Sequence, residues 1–324
     1  MRRNDCRSVA IAALLGTLAG IASAQSYPSR PIRMIVPSTP GGSVDTLART
    51  IGPRLSDRWG QQVVVDNRSG AGGVIAAELT AKAPPDGYTL IMGTVASMAS
   101  NVSLSRNLPY HPLRDFAPVT QVASQQLTLL VHPAVAAKSV AELIQLAKAK
   151  PGQLTFASAG NGAGGHLSGE LFKMLTGIDI VHVPYKGVAP ALVDVISGQV
   201  TMTYSSILSG LPHIKSGRVR ALAVTGAQRS PAVPELPTMS EAGVRGYESS
   251  TWYGVLAPKA TPRPVVAKLH DEIVTILKLP EVKDRLLAEG AEPIGSSPEQ
   301  FSEFIKAEIA KWEKVIRAAG IRTE

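Results

Sequence analysis

Two glycine-rich turns carry the residues of this 324-residue chain best suited to chemistry. Pro40-Gly41-Gly42-Ser43 follows the apolar run Ile32-Arg33-Met34-Ile35-Val36, and Ser158-Ala159-Gly160-Asn161-Gly162-Ala163-Gly164-Gly165 follows Leu154-Thr155-Phe156-Ala157. Each turn precedes an amphipathic helical period. Glycine lets the backbone approach a ligand closely, and the start of the following helix offers unpaired N–H groups and the positive end of a dipole. A pair of such turns, far apart in the chain, predicts one anion held between two lobes.

Other chemistries fit less well. Gly160 to Gly165 matches G-x-G-x-x-G, but a dinucleotide site needs an acidic residue at the end of the next strand. That end reads His182-Val183-Pro184-Tyr185, with Asp179 before the strand instead. Around Ser158 the first glycine of G-x-S-x-G is missing, so no nucleophile elbow is expected. Histidines 111, 132, 166, 182, 213 and 270 show no metal-ligand spacing. His166 opens a helix beside the second turn and has two readings, a local bond to the loop or a ligand contact. Asp45 lies in the first turn of its helix, where a carboxylate complements the dipole and accepts loop N–H groups. That structural role is favoured, because a carboxylate would repel an anionic ligand. A rival reading, a secreted serine-dependent hydrolase, requires Ser158, His166 and Asp45 to converge within hydrogen-bonding reach.

The elements that must position these turns alternate regularly. Strands are expected at Ile32–Pro37, Gln62–Asp66 and Tyr88–Met92, with helices at Val44–Arg58 and Val74–Ala83. A βαβαβ start of this kind implies a parallel sheet with right-handed crossovers. A second series comprises strands Leu154–Ala157, Ile180–Val183 and Val200–Tyr204, with helices near His166–Leu175 and Ala189–Ile196. The long apolar stretch Phe116–His132 and the return stretch Val219–Thr225 are the two crossings that an inserted domain requires. Beyond them come a strand near Trp252–Ala257 and helices near Pro264–Leu277, Pro280–Glu289 and Pro298–Ala319, each begun by proline. Trp252 and Tyr253 are read as packing, and Ser69-Gly70-Ala71-Gly72-Gly73 as a strand–helix joint. The fold class is α/β.

Bulk properties agree. Met1-Arg2-Arg3, the apolar run Val9–Ile21 and Ala22-Ser23-Ala24 form an expected signal peptide over residues 1–24, of the general secretory type. The single cysteine, Cys6, falls inside it, so disulfides, thiolate catalysis and cysteine-bound metals are not expected. Losing three arginines and one aspartate takes the formal charge from +8 to +6. That charge is spread out, with no basic stripe for nucleic acid, and favours small anions.

The residues also carry a resemblance. Val36-Pro37-Ser38-Thr39-Pro40-Gly41-Gly42-Ser43-Val44-Asp45 is similar to the opening of the Bug (TctC-like) solute receptors of tripartite tricarboxylate transporters. Asp66 to Gly73, Lys82 to Leu90, Ser158 to Gly162, His166-Leu167, Val183 to Gly187, Leu222 to Thr225 and Trp252-Tyr253-Gly254 extend it over the whole mature chain. The resemblance implies a type II periplasmic-binding-protein fold with the ligand cleft between lobes: residues 25–122 and 225–324 in one lobe, 123–224 in the other. It implies a monomeric periplasmic receptor, without enzymatic activity, cofactor or metal, that closes over a small organic acid and delivers it to membrane subunits. Hinges are expected near residues 120–130 and 219–227. The implied pocket comprises Ser38, Thr39, Gly41, Gly42 and Ser43 from one loop and Ser158, Ala159, Gly160, Asn161 and Gly162 from the other. His166, Thr94, Ser97, Tyr185, Lys186, Gly187, Ser205 and Ser206 complete it. Two departures matter, Ser38 where the family often has phenylalanine and Ser205 near a frequent aspartate. Both favour a roomier pocket for a dicarboxylate, an aromatic one such as terephthalate included, over an amino acid.

Overall fold

The structure is a computed structural model and describes residues 27–288 and 290–321. The expected signal peptide lies outside the described residues.

The first half opens with β1 (Ile32–Val36), α1 (Ser43–Trp59), β2 (Val63–Asn67), α2 (Val74–Ala81) and β3 (Thr89–Thr94). Val44, Leu47, Ala48, Ile51 and Leu55 of α1 are buried, the three-to-four spacing of a helix packed on a sheet. β1 pairs in parallel with both β2 and β3. A π-helical turn, Ala96–Ser100, then runs into α3 (Asn101–Leu104). The stretch at Thr94–Ser97 is therefore not a free loop end. Thr94 N–H donates to Ser97 Oγ at 3.0 Å, Ser97 N–H to Thr94 Oγ1 at 3.3 Å, and the Tyr110 hydroxyl to Ser97 O at 2.6 Å.

After α4 (Pro112–Asp115) the long apolar stretch forms one strand, β4 (Phe116–Val131). The second half follows with α5 (Val140–Ala149), β5 (Thr155–Ser158), α6 (Gly164–Thr176), β6 (Val181–Pro184), α7 (Val188–Ile196), β7 (Met202–Ser206), α8 (Ile207–Lys215) and β8 (Arg220–Val224). The chain returns through β9 (Ser250–Pro258) and ends with α9 (Arg263–Leu277), α10 (Pro280–Ala288), β10 (Ala291–Pro293) and α11 (Pro298–Ala319). α5 and α8 are additional to the elements expected from the sequence. Both are short helices capped by serine: Ser139 Oγ accepts from Glu142 N–H and Ser206 Oγ from Ser209 N–H.

The strand order is β2-β1-β3-β9-β4-β7-β5-β6, with β8 and β10 also on β4. β4 pairs antiparallel with β9 from Phe116 through Gln126, and with β7 from Leu127 through Val131. One strand thus serves both halves, changing partners between Gln126 and Leu127. The half-sheets repeat one plan, three parallel strands closed by an antiparallel one, and this is the two-lobed α/β arrangement. α1 and α9 cover one face of the first half, while α2 and α11 cover the other. Trp252 and Tyr253 are buried. Trp252 and Trp312 both donate their indole N–H to Glu308 Oε2, at 2.9 and 2.8 Å, which fixes them as packing residues.

Candidate functional site

The first loop joins β1 to α1. Gly42 is the helix N-cap in an extended conformation, with no side-chain cap, and Gly41 takes φ +87°. Gly41 N–H donates to Asp45 Oδ2 at 2.9 Å. Asp45 Oδ1 accepts from Asn67 Nδ2 at 2.9 Å, and Arg49 Nε reaches the same carboxylate at 3.1 Å. The Asn67 amide also donates to Ser38 O at 3.1 Å. Burial alone would raise the Asp45 carboxyl, but the bonds from Gly41, Arg49 and Asn67 outweigh it and hold the group below its ordinary range. Asp45 braces the loop, as expected. Thr39 and Gly41 are exposed, while Ser38, Gly42 and Ser43 are half-buried.

The second loop joins β5 to α6 and uses the same device with different chemistry. Gly160 and Gly162 take φ +129° and +74°. Gly162 N–H donates to His166 Nδ1 at 2.9 Å, again an acceptor four residues on. Ser158 Oγ lies 2.7 Å from His182 Nε2, donates to Gly160 O at 3.0 Å and accepts from Gly160 N–H at 3.1 Å. The rings of His166 and His182 stack, 3.9 Å apart and 10° from parallel, and Phe156 lies 4.9 Å from His182. Burial, with His182 and Lys173 nearby, brings His166 down to about 3. Burial and Lys173 bring His182 to about 4. Both imidazoles are neutral at pH 7. Within the turn 159–162, the N–H groups of Gly160 and Gly162 are taken internally, and those of Ala159 and Asn161 are not.

The loops meet through a third. A methyl group on Gly73 would stand 3.1 Å from Cβ of both Pro37 and Ser97, and one on Gly72 would stand 3.4 Å from Asn161 O. Asn101 Nδ2 donates to Gly72 O at 3.0 Å, and Ser100 Oγ donates to Gly162 O at 2.9 Å. A side chain at Gly162 would also strike Leu104 Cδ1 at 2.6 Å. The joint at Ser69–Gly73 is therefore a wedge between the two loops as well as a strand–helix connection. At the far side, Tyr185 N–H donates to Ser158 O at 3.0 Å, and Gly160 packs against Tyr185 O.

Helix starts differ in how they are capped, and α9 begins at Pro262 without a side-chain cap. α5, α8 and α11 carry serine caps, the last a full capping box of Ser297 and Gln300. α1, α2, α6 and α7 start at Gly42, Gly73, Ala163 and Gly187 with no side-chain cap. Their first N–H groups and positive dipole ends are left for something else, and an anion is what such ends bind.

The remaining expected residues sort by whether their polar atoms are committed. Ser97 is locked to Thr94, Ser206 caps α8, and the Tyr185 hydroxyl donates to Asp194 Oδ2 at 2.5 Å. That bond, more than burial, takes the Tyr185 phenol up to about 12. His166 spends Nδ1 on Gly162, the local reading of the two. Lys186 is exposed at the start of this segment. Ser205 is buried with its hydroxyl unpartnered, opposite Thr128, whose hydroxyl is also unpartnered. The hydrolase constellation does not assemble. Ser158 pairs with His182, His166 with the loop, and Asp45 with Gly41, Arg49 and Asn67. No group of three or more His, Cys, Asp or Glu side chains suited to a metal occurs among the described residues. Sequence reasoning missed His182, Asn101 and Ser100. His182 alone leaves a trace in the sequence, near the strand end where a dinucleotide site needs an acidic residue.

The chain is similar to known proteins in sequence and in fold. Residues 47–321 match a family described as the tripartite tricarboxylate transporter family receptor. Protein BugT of Bordetella pertussis is 41% identical over 323 residues, covering 98% of this chain and 99% of its own. Among solved structures, R. palustris Rpa4515 with adipate is 44% identical with a TM-score of 0.87, covering 91% of this chain and 99% of its own. MatC from Rhodopseudomonas palustris with bound malate is 34% identical with a TM-score of 0.83, covering 90% and 100%.

Proposed function

The chain belongs to the tripartite tricarboxylate transporter family of receptors, and on that premise we propose that it captures a dicarboxylate between its lobes and delivers it to membrane subunits of such a transporter. The family's receptors are periplasmic binding proteins, and this one works in the periplasm as a monomer, without catalysis. The single observation that carries the reading is the convergence of four helix starts with no side-chain cap, two from each half of the molecule.

One carboxylate lies between the loops Ser38–Ser43 and Ser158–Gly162, held by main-chain N–H groups. Those of Thr39, Gly42, Ala159 and Asn161 are not spent on other backbone groups. The second carboxylate meets hydroxyl groups, the unpartnered one of Ser205 among them. Neither lobe completes the set alone, so the ligand favours the closed state by its differential contacts. Closure bends the chain near residues 120–130 and 219–227. The partner change of β4 at Gln126 and Leu127 supports the first of these hinges, and a strand paired on both sides of a hinge transmits a rigid-body rotation.

Adipate and malate in the two related structures support a dicarboxylate. Ser38 and Ser205 favour a larger acid, aromatic ones such as terephthalate included, and put no fixed anion where an amino group would need one. Calorimetric titration with adipate, malate, terephthalate, glutamate and aspartate tests the reading. Saturable binding of a dicarboxylate without an amino group is expected; a clear preference for glutamate or aspartate overturns it.

A further inference from the structure

Two imidazoles lie beneath the second loop, and the ligand contacts proposed above use neither. We infer that His166 and His182 are positioning residues, a stacked pair that holds the Ser158–Gly162 loop in the shape that receives the carboxylate. This rests on the proposal that the loop binds one.

The pair controls both ends of the loop. His182 sets Ser158, whose hydroxyl in turn accepts from Gly160 N–H and donates to Gly160 O. His166 sets Gly162 by accepting its N–H, while Ser100 holds the carbonyl of the same residue from the other lobe. With alternate amides turned inward, those of Ala159 and Asn161 are left over for a ligand. Stacking at 3.9 Å restricts the tilt of each ring, and Phe156 backs them. Both side chains belong to regular elements, α6 and β6, rather than to the loop, which makes them rigid supports.

The choice of imidazole follows from the neighbouring charge. The first loop is braced by a carboxylate, but Asp45 has Arg49 against it. Beside His166 the nearest carboxylate, Glu170, stands 3.9 Å from Nε2 and is itself paired with Lys173. A neutral ring nitrogen accepts the Gly162 N–H without placing a further negative charge next to the bound acid.

Three proteins test the inference: the parent, His166→Phe, which keeps a ring but removes the acceptor, and His166→Asn, whose side-chain oxygen restores one. Amide hydrogen exchange at Gly162, read at pH 7 on ligand-free protein, accelerates at least about tenfold in H166F. Adipate affinity by calorimetry falls by about the same factor, and H166N returns both to near the parent values. Exchange and affinity unchanged in a folded H166F, or H166N as impaired as H166F, overturn the inference. If H166F does not fold, His182→Phe gives the same decision at Gly160. If the parent itself does not bind adipate, the ligand proposal is what fails, and the exchange measurement still decides the brace.

Discussion

The two glycine loops do one job with different chemistry. Each follows a parallel strand, begins a helix with no side-chain cap, and has a glycine N–H held by an acceptor four residues on: Gly41 by Asp45, Gly162 by His166. In the first loop the acceptor is an ionised carboxylate countered by Arg49 and Asn67; in the second it is a neutral imidazole stacked on another. Both loops are exposed at their tips, at Thr39–Gly41 and at Asn161, and the second also contacts the opposite half through Ser100, Leu104 and Gly72. Asp45 and His166 are both buried. The carboxylate stands there because Arg49 and Asn67 pair with it, and the imidazole because it is uncharged, since an unpaired buried charge would be costly.

The largest expected effect breaks the first brace. Asp45→Ala strands the Gly41 N–H, the Asn67 amide and Arg49 together, and costs about 2–3 kcal/mol in urea unfolding, because Arg49 is half exposed and water recovers part of the loss. Ligand affinity falls with it. A loss below about 0.5 kcal/mol would show that the carboxylate is not the brace.

Next comes the contrast between two glycines. Gly162→Ala meets Leu104 Cδ1 at 2.6 Å and Ser100 Oγ at 2.8 Å, at φ +74°. Gly41→Ala meets nothing within 4 Å, at φ +87°. Both incur left-handed backbone strain of about 1 kcal/mol. Only the Gly162 variant also crowds atoms of the opposite half, so its Tm should fall further and its adipate affinity should drop by at least about tenfold more. Equal losses would remove the asymmetry.

A further contrast lies in pH. His166 and His182 have folded values of about 3 and about 4 against an ordinary 6.5. Below pH 6.5 the unfolded chain takes up protons that the folded protein refuses. Their stabilising contribution is therefore complete above 6.5 and lost as pH falls towards 4. The slope approaches about 1.4 kcal/mol per pH unit for each histidine. Asp45, also depressed, contributes above its unfolded value near 3.8 and loses that only below it. Urea unfolding between pH 7 and 4.5 should therefore show a shallower slope in H166N than in the parent, while D45A keeps the parent slope. Parallel lines for all three would mean that the imidazoles are not buried as a neutral pair.

Much of the fold was legible because local patterns and packing agree. Pro298–Ala319 emerged with the expected bounds, since a proline start, a serine cap and a helical apolar stripe all act within a few residues of one another. The expected strands came within two residues of their ends, and β10 was not foreseen. α5 and α8 were missed for different reasons: Val140, Leu143 and Ala147 of α5 are buried at helical spacing behind the Ser139 cap and were legible, whereas α8 has Pro212 inside it, which reads as a helix break. The turn at Ala96–Ser100 was missed as well; its Ser97 carbonyl accepts from Tyr110, a residue outside it.

By itself the sequence determined the two glycine turns, the helices that start at them and the role of Asp45, for each depends on spacing along the chain. Only the tertiary structure decided that His182 stands under Ser158, that Gly72 wedges between the loops and that Ser100 reaches Gly162 across the lobes. Those contacts join residues 24 to 89 positions apart. Periodicity has no memory over such separations, and only the pairing of strands brings them within hydrogen-bonding reach.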